Sequence, residues 1–484
     1  MSMFYRITKN TSALVIADLI TKILAFCYQV LVPAFLLPAG WGLLALALAF
    51  ASIVENFLDL GLNTLTVRDV ARDQSLTSKY AINICVIKFL AGLITIPFMV
   101  FLSILFNYSP MEFLILMIIA ISNIFYCMAF AFFSIFQAHE KMEYQSLGIL
   151  ISNIIIYGSS ILFVFLHFTL IWFAIIYLFS FIIMFLFAVF VMRKKIVKVK
   201  FKLDMAYWRD LLKKGFPFFV GRLSISLYSY VGYVILSIFK GANSVGEYDV
   251  AHRLIFIVIT MMSYFYTAML PAMIKLKIDK ELENFEWIVS FFLKYLSIVG
   301  ILSGFVITVL APDIILFLYH GTYSNSIVLL QILAWQIVFY NITSLFGNVL
   351  YIFNRQRRWM IVMVLTCIIN FLLNFVMFYY FNSAGIALTN LITDAFAAFV
   401  LFLSSRDTHQ SPLKGLVFKL AITALIPIFF IYIPSVSTTV RLLAGSMIYL
   451  LALFVARLIR MNEVKLIYAK IRKDVFHKIG KNIV

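Results

Sequence analysis

Long apolar runs separated by short polar or turn-forming stretches fill the chain from Thr11 to Ile459. At 1.5 Å per residue, a helix of about twenty residues crosses a bilayer core of roughly 30 Å. The pattern predicts fourteen such spans, at about 11–36, 41–61, 80–106, 112–137, 144–166, 169–192, 214–239, 245–272, 286–310, 326–353, 359–380, 384–405, 415–433 and 438–459. Residues that end helices mark several breaks: Pro38-Ala39-Gly40 after the first span, Ser109-Pro110 after the third and Ala311-Pro312 after the ninth. The longest polar interval, Arg193 to Lys214, alternates charged and apolar residues from Lys195 to Leu203. Asp204 then stands where it would cap a short amphipathic helix through Trp208 and Leu212. After Arg460, residues Val464, Ile467, Tyr468, Ile471 and Val475 share one helical face with lysines elsewhere, a pattern suited to anionic headgroups.

Composition excludes a soluble globular protein: 64% of the 484 residues are hydrophobic, 12% are charged, and the mean hydropathy is +1.04. The expected fold is an all-α polytopic membrane protein. A net charge of +18 would suggest a nucleic-acid partner in a soluble chain. Here most lysines and arginines collect in alternate loops and in both tails, so no nucleic acid is expected. The positive-inside rule places both termini in the cytoplasm, the protein being a multi-pass component of the cell (inner, cytoplasmic) membrane. Cys27, Cys85, Cys127 and Cys367 lie inside apolar runs at no metal or redox spacing, and the six histidines are scattered. No metal or cofactor is expected. The first apolar run is too long and too interrupted by charge for a cleaved signal peptide.

The polar interval divides the chain into six spans and eight. The segment Gly215-Phe-Pro217 through Gly221-Arg222 opens the second part with a cation inside its first span, as Lys22 lies inside span one. Span eight follows a glycine-containing break at Gly241 to Gly246, as span two follows Gly40-Trp-Gly42. This weak internal symmetry gives an expected organisation of an N-lobe at 1–192, a connector at 193–213, a C-lobe at 214–405, two further helices within 406–459 and a basic amphipathic tail at 460–484.

Leu58-Asp59-Leu-Gly61-Leu-Asn63 through Arg68 and Arg72, and Phe136-Gln137-Ala-His-Glu140-Lys141-Met142, carry a family likeness. So do Val245-Gly246-Glu247-Tyr248 through Arg253-Leu254, Leu318-Tyr319-His-Gly321-Thr-Tyr323, Asn370 to Asn374 and Gly385-Ile-Ala387. With these segments in this order the chain resembles the polysaccharide-biosynthesis (Wzx-type) flippases of the MOP superfamily, which also contains the lipid II flippase MurJ and the MATE multidrug exporters. The resemblance covers essentially all fourteen spans. It implies a two-lobed bundle of two pseudo-symmetric six-helix lobes plus two C-terminal helices. The implied activity is alternating-access transfer of a polyprenyl-pyrophosphate-linked oligosaccharide across the membrane. Membrane lipids and other polysaccharide-assembly membrane proteins are the implied partners.

A charge at mid-span costs roughly 2.5–3.5 kcal/mol on insertion scales, so it is kept where it faces protein or water. Lys22, Lys88, Arg222, Arg253 and Lys294 are therefore candidate cations for an anionic cargo, and a guanidinium fork matches phosphate oxygens. Lys22, Arg222 and Arg253 fall on spans one, seven and eight, which the resemblance implies lie beside an inter-lobe cavity. Lys419, close to a predicted cytoplasmic end, can snorkel. Asp18, Glu55, Asp249 and Asp394 are candidate counter-charges or ion-coupling sites, with Asp18–Lys22 and Asp249–Arg253 each four residues apart on one helix face. Asp59, Arg68 and Arg72 are candidates for a cytoplasmic gate. The competing readings are a structural ion pair for Asp18–Lys22, Asp249–Arg253, Glu55 and Asp394, stems that reach water for Lys88 and Lys294, and a solvated face for Arg68 and Arg72; Arg222 has no acid four residues away. A MATE-like exporter of organic cations is the alternative function, though it would want acids to outnumber cations within the spans. A membrane enzyme is disfavoured because the outer loops are short and no phosphate-binding loop signature occurs.

Overall fold

A computed structural model describes residues 3–196, 203–408, 413–431 and 437–459, with side chains from residue 20 onward apart from those of 206, 408, 413 and 414. The Asp18 side chain, part of the connector and the amphipathic tail after Arg460 lie outside these described residues. All regular elements among them are helical. In order they are α1 (Met3–Asp59), α2 (Leu62–Arg72), α3 (Thr77–Leu105), α4 (Pro110–Ala138), α5 (Met142–Phe165), α6 (Leu170–Val191) and α7 (Met205–Lys240). There follow α8 (Ala242–Ile278), α9 (Leu282–Tyr319), α10 (Ser326–Leu333), α11 (Gln336–Ile352), α12 (Gln356–Ser404), α13 (Leu413–Ile431) and α14 (Thr438–Val455).

Each of the fourteen predicted runs falls on one or more of these helices. Eleven segments among the described residues are long and apolar enough to cross a membrane, and Gly415–Ile431 is apolar but shorter. Two of the eleven are double. α1 breaks at Leu37 (φ 59°, ψ 170°), the residue before Pro38, where the proline ring disfavours a helical backbone. α12 breaks at Asn382 (φ 52°, ψ −134°), between the predicted spans eleven and twelve. Ser109 and Glu112 form a reciprocal capping box with Pro110 in the first turn, which starts α4 where the sequence places it.

Three expectations need correction. Pro312 does not end a helix: α9 runs through it to Tyr319, since a membrane helix tolerates proline where neighbouring groups satisfy the freed carbonyl. Asp204 does cap a helix, accepting from the Tyr207 N–H at 3.1 Å, but that helix is not short. It continues through Gly215 and Pro217 into the predicted seventh span as the single element α7. The predicted span 326–353 is two helices, α10 and α11, that meet at Ala334–Trp335. Thr308 and Gln331 exchange side chain-to-carbonyl hydrogen bonds (3.2 and 3.3 Å) beside this junction.

The chain divides into two compact units. The first comprises Met1–Arg253, Ile315–Leu329 and Met363–Thr389. Within it α4 is central, packing against α1, α2, α3 and α6. Phe133 and Phe136 meet Met184 and Met192 on one side, and Leu62, Leu65 and Tyr80 form a second cluster with Leu211. Pro33 has no N–H, so the Gln29 carbonyl loses its helical partner; the Tyr319 hydroxyl donates to it at 3.1 Å. The Tyr323 hydroxyl donates to the Pro33 carbonyl at 2.9 Å, one turn before the break at Leu37. Two backbone approaches admit no side chain. A Cβ on Gly42 would overlap the Ala242 carbonyl, and one on Gly61 (φ +73°) would overlap the Gly215 carbonyl. Only glycine adopts the Gly61 conformation at little cost.

The second unit comprises Leu254–Ile314, Leu330–Val362 and Asn390–Val484. There α13 packs on α14, and Ile298 and Ile301 join Tyr449 and Leu453 in a common core. Asn341 donates to the Leu296 carbonyl at 3.1 Å, and the Tyr266 hydroxyl donates to the Asn341 carbonyl at 2.8 Å.

Substitution of Gly42 by leucine should cost about 1–3 kcal/mol through overpacking and lower the thermal unfolding midpoint in detergent. Gly158→Leu, with no atom within 4 Å of its added Cβ, should leave the midpoint nearly unchanged.

Candidate functional site

The polar residues of the first unit gather at two places along the second half of α1. At the C-terminal one, α1 ends in Glu55 and Asp59, and α3 and α7 supply Lys88 and Arg222. Lys88 is fully buried, as is Asp59. The Lys88 ammonium donates to Asp59 Oδ1 at 2.9 Å, to Asn63 Oδ1 at 2.6 Å and to the Cys127 carbonyl at 3.2 Å. All three of its protons thus have acceptors, the condition under which a buried ammonium is tolerated. Arg222 reaches the same carboxylate from the other side, Nη1 lying 3.4 Å from Asp59 Oδ2, while Nη2 lies 3.0 Å from Glu55 Oε1. The four charges balance as two cations and two anions.

Arg222 differs from Lys88 in exposure: 41% of its side chain is accessible against none of that of Lys88. It helps to line a cavity of about 620 Å³ whose wall also includes Glu55, Asn63, Arg68, Gln137 and Gln145. Cations outnumber acids two to one among these lining residues. Tyr126 and Phe130 continue the wall into an adjoining aromatic pocket of about 230 Å³ with Tyr157 and Tyr177. At the rim, Arg68 pairs with Asp69 at 2.7 Å and lies over the Phe218 ring. Burial raises the Asp69 carboxyl, but hydrogen bonds from Arg68 and Tyr80 outweigh it and hold the group below the usual carboxylate range.

The second place is built on Asp249 of α8. Its buried carboxylate accepts from the Trp41 indole N–H at 2.9 Å, the Tyr233 hydroxyl at 3.0 Å and Arg253 Nε at 2.5 Å. The Arg253 guanidinium also stands over the Trp41 ring, 5.1 Å from its centroid. One acid therefore ties α1, α7 and α8 together, and the four-residue spacing of Asp249 and Arg253 is realised as an ion pair. The Tyr28 and Tyr177 hydroxyls pair nearby at 2.9 Å, with Tyr28 edge-on to Trp41.

The remaining candidates are dispersed. Lys22 is exposed on α1, and neither it nor Arg253 is among the lining residues of the Arg222 cavity. Arg72 is exposed in the last turn of α2. Lys294 and Asp394 belong to the second unit. There Lys294 stacks over the Tyr295 ring at 4.7 Å and Asp394 accepts from Gln336 at 2.8 Å. Asp59, a gate candidate by sequence, sits at the centre of the Lys88–Arg222 cluster. Sequence reasoning missed Asn63 and the Cys127 carbonyl as partners of Lys88, and Trp41 and Tyr233 as partners of Asp249. All of these come from other helices, where helical spacing gives no signal; only the cost of a lone mid-span charge could have prompted a search for them.

Comparison with known proteins agrees with this architecture. No curated protein matches the chain. Among solved structures, the lipid II flippase MurJ in an inward closed conformation aligns with a TM-score of 0.74 at 20% identity, over 93% of this chain and 100% of that one. An inward-facing multidrug resistance MATE family transporter of the MOP superfamily aligns at 0.66 and 16% identity, over 80% of this chain and 94% of the other. A MOP superfamily transporter from Pyrococcus furiosus, described as having a binding pocket of reversed polarity, aligns at 0.54 and 16% identity, over 81% and 94% of the two chains. These likenesses establish the fold. The polysaccharide biosynthesis protein family matches residues 7–277, more than half of the sequence, and the chain belongs to that family.

Proposed function

We propose that the protein is a flippase that carries a polyprenyl-pyrophosphate-linked oligosaccharide, a repeat unit of O-antigen, capsule or exopolysaccharide, from the cytoplasmic to the outer leaflet by alternating access. The observation that carries this reading is the half-exposed Arg222 guanidinium on the wall of a 620 Å³ cavity. A pyrophosphate leaving water needs charge-assisted donors, and Arg222 offers a planar fork held from behind by Glu55 and Asp59. Lys88 fixes Asp59, so the arginine is presented by a rigid base rather than by a loop. The adjoining wall of Tyr126, Phe130, Tyr157 and Tyr177 suits the apolar faces and hydroxyls of a sugar. The lipid tail stays in the bilayer while the polar head crosses.

Entry of a phosphate at Arg222 competes with Glu55 for the same guanidinium. This supplies a differential contact between loaded and empty states, without which binding cannot shift a conformational equilibrium. Lys22, Arg253 and Lys294 remain proposed cargo-binding cations, Asp18 and Asp394 proposed ion-coupling sites, and Arg68 and Arg72 the proposed inner gate. The alternative, a MATE-like exporter of small cations, draws on Glu55 as an acid in the cavity, but the second arginine at the lining weighs against it.

In a complementation assay for surface glycan, Arg222→Ala should reduce export about 10–100-fold, the effect of one charge-assisted hydrogen bond of about 1.5–3 kcal/mol. Lys22→Ala should also impair export. Intact glycan with both variants expressed at normal levels would overturn the site; drug resistance on expression with unchanged glycan would favour the exporter. Separately, Lys88→Met should destabilise the fold by about 3–5 kcal/mol, because it leaves the buried Asp59 carboxylate with only the Asn63 N–H and the 3.4 Å contact to Arg222. Adding Asp59→Asn should recover part of that loss, as read by thermal unfolding.

A further inference from the structure

Away from the charged cavity, the first unit carries an apolar groove of about 680 Å³ between α3 and α6. Both helices pack against α4. Ile82 and Cys85 form one wall, Phe185 and Val189 the other, with Phe132 of α4 as the floor. The groove shares no lining residue with the cavity at Arg222. From Phe185 to Arg193 it follows the end of α6 and the start of the turn after it, eight helical steps and so a slot about 12 Å long. That length and its apolar walls suit the upper part of one acyl chain.

The end of the slot is cationic. Arg193 is part of the lining and makes no ion pair among the described residues. It lies in a π-helical turn, Met192–Ile196, that also carries Lys194 and Lys195. The Lys194 ammonium lies 4.7 Å from the Phe190 ring centroid. Lys141, at the start of α5, adds a further ammonium by donating to the Lys195 carbonyl at 3.0 Å. An apolar slot between membrane helices that ends in clustered cations has the charge and shape of a site for an anionic lipid headgroup with its chain attached.

We propose that this groove is a binding site for an anionic glycerophospholipid, with the phosphate at Arg193 and one acyl chain lying over Phe132 between α3 and α6. The site is separate from the translocation cavity and stands whether or not the transport reading is correct. It anchors the end of α6 immediately before the connector, so lipid composition would act on the segment that joins the two sequence halves.

The test uses the full-length protein, delipidated in detergent and titrated in native mass spectrometry with phosphatidylglycerol and with phosphatidylcholine of identical chains. The first phosphatidylglycerol should bind about fivefold more tightly than phosphatidylcholine, the effect of one cation near a headgroup, and Arg193→Glu should erase the difference. A second readout uses the native thiol in the wall. In a chain with Cys27, Cys127 and Cys367 replaced by alanine, maleimide labelling of Cys85 should be several-fold slower in phosphatidylglycerol nanodiscs than in phosphatidylcholine nanodiscs. Arg193→Glu should remove that protection. Equal binding of the two lipids, a preference unchanged by Arg193→Glu, or protection of Cys85 by a polyprenyl phosphate but not by phosphatidylglycerol would overturn the proposal.

Discussion

A buried ammonium with no acceptor is the one thing a helix bundle in lipid cannot hold, and Lys88 shows how this chain meets the requirement. Its three donors are taken by Asp59, Asn63 and the Cys127 carbonyl. That leaves Asp59 Oδ2 free to face Arg222, which shares its other nitrogen with Glu55. The cost of the buried charge thus fixes the end of α1, the start of α2, the middle of α3 and α4, and the first half of α7 in one arrangement. Asp249 performs the same service for α1, α7 and α8.

These networks work because the backbones beside them come close. Gly61 sits against Gly215 on the Asp59 side and Gly42 against Gly246 on the Asp249 side, so α1 meets α7 and α8 at contact distance. The break at Leu37 turns α1 between them, and the Gln29 and Pro33 carbonyls in the turns before it accept from tyrosine hydroxyls. Packing and polar satisfaction therefore point to the same geometry. The result is a rigid base with one arginine left partly open to a cavity. A group presented in that way can exchange an internal acid for an external anion without unfolding its surroundings.

Much of this was legible in the chain. Apolar run lengths gave the helices, Pro38 and Ser109-Pro110 gave two of the breaks, and the four-residue spacing of Asp249 and Arg253 gave an ion pair that is present. Pro312 and Gly215 misled because their usual meaning assumes water-exposed backbone; in a bundle neighbouring helices satisfy what they disrupt. The partners of Lys88 and Arg222 were hidden for a different reason. Helical periodicity relates residues three or four apart, whereas Asp59 and Arg222 are separated by 163 positions. Sequence could say that each mid-span charge needed a partner. It could not say which residue answered.

The central claim is that Arg222 and its paired acids present a site for a phosphate-bearing headgroup. Isothermal titration of the purified protein with farnesyl pyrophosphate, with farnesol as the uncharged control, tests it most directly. The account predicts saturable binding of the pyrophosphate, little binding of the alcohol, and at least a tenfold weaker pyrophosphate affinity in Arg222→Gln. Equal affinity for the two ligands, or an Arg222→Gln protein that binds the pyrophosphate as the native one does, would contradict it.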